Sequence, residues 1–525
     1  MNLMIAFRQW LEWREHFNCL PYMEAFDFPD GNVNRWDKLL KGAEEPAVIL
    51  ESGKAGRYTF IMPDPAEWVC GSLTEAEFYR PHSGETVVRQ GRPLDVLREW
   101  MSGFRSPRVE GLPKFTGGIA GYLSYDVVRT IEKLPRMAQA DSPVPDYAFF
   151  RAEKLWIIDH MEHKLWCAVH CLRDSSRAEI ELRRQYETAR REVLKMKRRW
   201  DGWAARDGVG GGAVADLRET ARESLEIDVE SIPGLTLSLP KDRFENAAER
   251  IREYIAQGDV FQVNLSVRQS AAVACSPEEV YETLRRINPS PYMAYLRLPG
   301  GARIVSSSPE LLVRLEDGRL TTRPIAGTRP RGTDEGEDGK LRQELLLNEK
   351  ERAEHIMLVD LERNDLGKIS AYGSVRVKEL MGVEHYSHVM HIVSEIEGEL
   401  AEGKDAFDCA AAVFPGGTIT GAPKIRTMEI IEELEPVRRG AYTGSIGWID
   451  YNGNMELNIV IRSMVYADGT AYVQSGAGIV IDSDPEKEFR ESINKAKAVW
   501  KAVEISERLE SSGSAGKSGM GKEAF

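Results

Sequence analysis

Residues 444–481 read GSIGWIDYNGNMELNIVIRSMVYADGTAYVQSGAGIVI, successive β-type runs parted by Asn452-Gly453 and Asp468-Gly469. Both dipeptides favour the tight turns that join neighbouring strands of a hairpin. Strands joined that tightly lie antiparallel, because a parallel crossover needs a dozen residues or more. Helical runs flank this block on either side. The class predicted is α+β, an antiparallel sheet with helices on its outside, not a doubly wound parallel sheet.

Upstream, Phe244, Ala248, Ile251 and Ile255 recur at helical spacing until Gly258 stops them. VFQVNLSV (260–267) then alternates as a strand. In the first part of the chain, AVILES (47–52) and RYTFIM (57–62) read as short strands. KLWIIDHMEHKLWCAVHCL (154–172) reads as a hairpin, and a charged helical run covers 177–200. The Gly-rich, charged stretch that follows has no apolar period. Four regions result: 1–200, a flexible linker at 201–235, a main unit at 236–508, and a Ser/Gly-rich disordered tail at 509–525.

The chain has 525 residues and a formal net charge of -14, from 69 basic against 83 acidic side chains. That balance, with no long basic run, argues against nucleic acid or an anionic membrane as the main partner. The apolar core before Arg8 is too short for a signal peptide, and no apolar run is long enough to span a bilayer. The six cysteines are scattered, apart from Cys167 and Cys171. Reduced thiols and a cytoplasmic location are the expectation. None of the cysteines sits in a glutaminase-type nucleophile elbow.

The loop FPGGTITGAPKIRTMEII (414–431) crowds glycines before a helix start. Gly416 and Gly421 have P-loop spacing, but Ala422 stands where the lysine is required. Pro423 suits the first helical position, and Ile425, Met428, Ile431 and Leu434 form a core face. Two readings stay open: a seat for a small anion on free N–H groups, or a tight turn that packs a helix on the sheet.

A helix around 342–362 carries Glu351 and Glu354 three residues apart, on one face. Glu354 falls in an apolar stripe with Leu347, Met357, Leu358 and Leu361, a costly place for an unpaired carboxylate. A helix at 485–505 repeats the device with Glu488 and Glu491 beside Lys495, away from its core side. Together the pairs would make an all-oxygen site suited to Mg2+; apart they are solvated surface. His391 is an acid or base near neutral pH, or a core or capping residue.

The segments RPIAGTRPRG (323–332), NEKERAEHIMLVDLERNDLG (348–367), VEHYSHVMHIVS (383–394), FPGGTITGAPKIRTMEIIEELEP (414–436), YTGSIGWIDYNGNMELNIVIRS (442–463) and QSGAGIVIDSDPEKEFRESINKAKA (474–498) resemble, in order, the chorismate-utilising enzymes. The resemblance implies an α/β sandwich built on large antiparallel β-sheets. It implies that Gly327, Thr328 and a turn Gly476–Ala477–Gly478 line the substrate, with Tyr442 and Arg462 gripping the enolpyruvyl carboxylate. By the same match Thr418, His391, Lys495 and Glu351 are catalytic, with His391 near the C4 hydroxyl. Glu354 and Glu491 match the Mg2+ ligands, and Glu488 supports them. LESGKAGRYTFIMPDP (50–65) and NPSPYMAYL (288–296) resemble the two sides of the family's tryptophan pocket, at Glu51, Ser52, Pro291, Tyr292 and Met293.

The family's aminating branches differ in where nitrogen goes. Substitution at C4 gives 4-amino-4-deoxychorismate, towards 4-aminobenzoate and folate, by a transaminase-class enzyme. Attack at C2 with loss of pyruvate gives anthranilate. Both take ammonia from a separate glutaminase (amidotransferase) subunit, since this chain has no such nucleophile. Thr420 in TITGAPK and Ser445 in YTGSIGW resemble the C4 branch. Ala326, in PIAGT, stands where some C4 enzymes have a covalent lysine, and it is shared with the C2 branch. The expectation is C4 amination without a lysine adduct.

Overall fold

A computed structural model describes residues 4–28, 36, 46–53, 56–172, 178–207, 227–332, 334–385 and 389–518. Two large sheets, each of twelve strands among the described residues, are antiparallel throughout. The predicted block supplies four of the strands: Ser445–Asp450, Met455–Ile459, Ser463–Ala467 and Thr470–Ile479. Its turns use the expected left-handed backbone, with φ of +93° at Gly453, +48° at Asp468 and +77° at Gly469. The first two strands lie in one sheet and the last two in the other, so this stretch stitches the sheets together.

The sheets face each other through a shared apolar layer. Phe60 of one sheet meets Phe115 edge-on at 5.3 Å, and Phe115 stacks at 4.9 Å on Trp448 of the other. Each fully buried side chain of this kind stabilises by roughly 1.5–3 kcal/mol. Helices cover the outside. The Lys241–Ala256 helix buries Phe244, Ala248 and Ile251 as its spacing predicts, and Phe244 meets Phe489 of the Pro485–Asn494 helix at 5.5 Å. The α+β expectation is met.

Strands from the two long compositional regions lie side by side. Ala47–Glu51 pairs with Tyr292–Arg297 in one sheet, and Gly118–Leu123 with Ser445–Asp450 in the other. The regions 1–200 and 236–508 are stretches of the chain, not separate bodies. The helix Glu179–Asp207 runs seven residues into the stretch read as linker, and residues 208–226 lie outside the described residues. At the other end, the helix Lys497–Ser518 continues into the Ser/Gly-rich tail. Extending a packed helix needs no new nucleus, so composition alone placed the boundary too early. Residues 519–525 lie outside the described residues.

Two helices read as continuous are broken. Asn348 separates Glu335–Leu347 from Glu349–Gly367, and its side chain caps the second helix by accepting from the Glu351 N–H at 3.0 Å. Lys495 ends the Pro485–Asn494 helix, and a new one starts at Lys497. In both places the apolar period runs on through the break, so periodicity did not reveal it.

Candidate active site

The strands Ile325–Pro330 and Val389–Glu399 pair so that Thr328 lies opposite His391. The His391 ring is buried, with Nδ1 3.0 Å from the Thr328 hydroxyl and 3.2 Å from the Gly327 carbonyl. Gly327 adopts φ +65°, and a Cβ there would come within 3.0 Å of the Glu351 carboxylate, which explains the glycine. Glu351 is further held by the Arg329 guanidinium at 3.2 Å. Burial, reinforced by Arg462, pushes His391 down to about 4, so its ring is neutral at physiological pH.

Glu310, at the end of SSSPE, is a buried carboxyl that sequence reasoning missed. Burial pushes it up to about 7; Glu362 adds in the same sense, while Thr418 and Arg462 oppose. Thr418 sits in a short helical turn, Gly417–Ile419, inside the glycine loop. The nearest available signal was a carboxylate directly before the apolar run LLVRL, a place where an acid must be paired or neutral. Glu310 thus shares its surroundings with Thr418 and Arg462, and Arg462 in turn with His391.

The glycine loop is braced from the helix that follows it. Lys424, just after it, donates to the carbonyls of Val413 (3.0 Å) and Pro415 (2.7 Å) and to Asp365, so this cation fixes the loop from within. Pro423 sits one residue before the helix, which spans Lys424–Leu434. Ile425 is 48% exposed and does not join the core face that Met428 and Ile431 do form.

Gly476, Ala477 and Gly478 form no turn. They lie within the Thr470–Ile479 strand, opposite Ser266, Leu265 and Asn264. Neighbouring side chains occupy the Cβ positions of two of them, with Asn264 Oδ1 at 2.5 Å from Gly476 and Gln262 Nε2 at 2.1 Å from Gly478. The Gly476 carbonyl accepts from Lys495 Nζ at 3.0 Å. Tyr442 is buried, with the Arg439 guanidinium over its ring at 5.6 Å. Burial pushes its hydroxyl well above the ordinary phenol range.

Of the carboxylate pairs, Glu354 is the better buried. Of the apolar stripe predicted from the helical period, Leu347 does not take part, for it is 63% exposed and lies on the other helix, whereas Leu358, one turn on, is buried. Gln262 Nε2 donates to Glu354 Oε1 at 2.9 Å. Burial, with Glu351 adding to it, holds Glu354 above the usual carboxylate range against Gln262, Lys350 and Lys495. Glu488 accepts from the Ser483 hydroxyl at 2.8 Å and is raised first by burial and then by Glu491. Glu491 pairs with Lys495 at 2.9 Å, and its side chain is 54% exposed.

Lys350 and Lys495 act on both Glu354 and Glu488, which sets the two helices around common cations. Among the described residues no three His, Cys, Asp or Glu side chains gather closely enough to hold an ion as they stand. The donor chemistry nevertheless fits Mg2+: hard carboxylate oxygens in two pairs, with Glu354 and Glu488 raised first by burial and then by a neighbouring carboxylate, a strain that a dication would relieve.

A separate cavity of about 630 Å3 is lined by all five residues expected there: Glu51, Ser52, Pro291, Tyr292 and Met293. Trp448 and Phe60 form an apolar wall. Burial opposes the Glu51 charge, but Arg285 prevails and holds the carboxyl below its ordinary range, with the Trp36 ring N–H and Tyr281 hydroxyl donating at 3.1 Å each.

The chain matches the family model described as chorismate binding enzyme over residues 45–501. It is 46% identical over 480 residues to the aminodeoxychorismate synthase component 1 of Bacillus subtilis (strain 168), covering 91% of this chain and 96% of that one. It is likewise 46% identical over 474 residues to the anthranilate synthase component 1 of Thermus thermophilus, covering 89% and 95%. Among solved structures, anthranilate synthase component I from Streptococcus pneumoniae TIGR4 superposes with a TM-score of 0.68 at 35% identity, over 88% of this chain and 96% of that one.

Proposed function

Since this chain belongs to the chorismate binding enzyme family, we propose that it replaces the C4 hydroxyl of chorismate by an amino group, giving 4-amino-4-deoxychorismate and water for 4-aminobenzoate and folate synthesis. The ammonia would come from a separate glutaminase subunit. The observation that carries the reading is Glu310: a buried acid raised to about 7 among Thr418 and Arg462. A hydroxyl is a poor leaving group unless protonated, and an acid with a pKa near the working pH does this best.

Arg462 and Tyr442 hold the enolpyruvyl carboxylate, the arginine through two parallel hydrogen bonds. Glu310 gives its proton to the departing C4 oxygen. His391, neutral and fixed by Gly327 and Thr328, orients that hydroxyl and does not protonate it. As the C–N bond forms and the C4–O bond breaks, water leaves and the surplus proton of the added nitrogen returns to the Glu310 carboxylate. Lys495 stays anchored on the Gly476 carbonyl beside the ring. Glu354 and Glu491, supported by Glu488 and Glu351, would hold Mg2+, which when bound neutralises the ring carboxylate. Ala326 offers no nucleophile, so no covalent adduct forms there.

Nitrogen at C4 is supported by the likeness to the Bacillus subtilis synthase and by Thr420 and Ser445. The second reading, anthranilate formation, is favoured by Ala326 and by the equally similar Thermus protein. Incubation with chorismate, ammonium chloride and Mg2+, followed by aminodeoxychorismate lyase, separates them. Release of 4-aminobenzoate is expected; lyase-independent anthranilate fluorescence as the main signal overturns the assignment. Tryptophan is the proposed occupant of the 630 Å3 cavity. It should raise the melting temperature as any ligand of the folded state does, and its effect on the rate tells a structural role from feedback.

A further inference from the structure

Three buried amide oxygens lie on one face of the sheet that carries Gly476 and Gly478. Gln262, Asn264 and Gln474 are 4%, 8% and 6% exposed. Their side-chain oxygens make no hydrogen bond among the described residues. Residues 262 and 264 project to the same side of their strand, and Gln474, opposite Arg268 on the paired strand, projects to that side too. Gln262 and Asn264 stand roughly 7 Å apart along their strand, and Gln474 lies two alternating positions beyond Asn264, past Ser266 and opposite Arg268.

Two of the amide orientations are fixed by their partners. Gln262 turns its NH2 to the Glu354 carboxylate at 2.9 Å, which can only accept. Gln474 turns its NH2 to the Ser266 hydroxyl at 2.9 Å, whose own proton goes to Glu435 at 2.7 Å. Asn264 is pinned through its backbone, N–H to the Thr420 carbonyl at 2.9 Å and C=O to Arg439 at 2.7 Å. Its Oδ1 stands over Gly476. Gln474 also lines a cavity of about 30 Å3 with Tyr442 and Arg438, room for one molecule the size of water.

A buried acceptor without a donor is destabilising, because it has given up water for nothing. Chorismate does not supply the donors: two carboxylates and an ether oxygen are acceptors, and its remaining polar group is one hydroxyl. Ammonia is the opposite, with three N–H donors and a single lone pair. Acceptors that hold its hydrogens leave that lone pair turned outward for attack. Being uncharged, amide oxygens favour ammonium over ammonia less than carboxylates would.

We propose that Asn264 Oδ1 and Gln262 Oε1 form the seat of the ammonia nucleophile, and that Gln474 Oε1 is the step before it on the route from the small cavity. This rests on the reading that ammonia is the co-substrate. The experiment measures KM for ammonium chloride at saturating chorismate, and KM for chorismate at saturating ammonia, in Asn264→Leu and Gln474→Leu. Loss of the Asn264 acceptor should raise the ammonia KM about tenfold, the worth of one hydrogen bond, with chorismate KM within about twofold. Gln474→Leu should raise it less. Asn264→Ser, which also removes the amide oxygen, decides the matter if the leucine variant does not fold. An unchanged ammonia KM, as expected if the row only holds water, or an equal rise in both KM values, overturns the proposal. Failure of the wild type to use ammonia would instead overturn the amination reading.

Discussion

Glu310 and His391 are both buried and both feel the Arg462 charge, and burial moves their pKa values in opposite directions because it disfavours whichever form is charged. The carboxyl rises to about 7 and stays protonated below it; the imidazole falls to about 4 and stays neutral above it. With Glu310 as the proton donor, kcat should decline as pH climbs through about 7, and a rate profile from pH 5.5 to 9 reads this directly. Glu310→Gln should lower kcat roughly hundredfold or more and erase that limb; a wild-type-like profile in the variant would assign the acid elsewhere. At this scale the sequence was legible where a motif names a residue, as with Thr328 and His391. It was silent on Glu310 and Gln262, since nothing local says that the residue after Pro309, or the polar side of VFQVNLSV, faces a closed interior.

Strands and turns followed from Asn-Gly and Asp-Gly, while the glycines at 476 and 478 were misread as another turn. A glycine relieves two different constraints, a left-handed φ or a filled Cβ position, and only the fold tells which. The second applies here and ranks two substitutions. At Gly478 the colliding atom is the end of the flexible Gln262 side chain, at 2.1 Å; at Gly476 it includes the rigid Leu265 carbonyl, at 2.6 Å. Gly476→Ala should therefore lower the melting temperature more than Gly478→Ala, and calorimetry on both variants checks the order. Helix ends were legible only where Gly or Pro marked them. The Asn348 break was hidden because its cap lies between two runs of equal helical character. Asn348→Ala should cost about 1 kcal/mol of stability through the lost cap, measurable by urea denaturation, and should loosen Glu351 and Glu354 one turn later.

Across the whole molecule, chain regions that differ in composition interleave in both sheets, since strand order depends on long-range pairing that no local pattern records. Ala47–Glu51 is bonded on both edges, to Tyr58–Met62 and to Tyr292–Arg297. A chain lacking residues 1–200 should consequently fail to fold; a soluble fragment from residue 227 with a cooperative melt would show the regions to be independent. The same interleaving places the Glu51 cavity and the His391 site in one body. The pocket residues were legible by resemblance to the family, whereas the enclosing Trp448 and Phe60 belong to different sheets and could not be brought together from sequence. The central claim is the site of amination. The most direct measurement supplies 15N-labelled ammonia with chorismate and Mg2+ and locates the nitrogen in the product by NMR. 15N on C4 with the enolpyruvyl ether intact is the expected result; 15N on C2 with free pyruvate would contradict C4 amination.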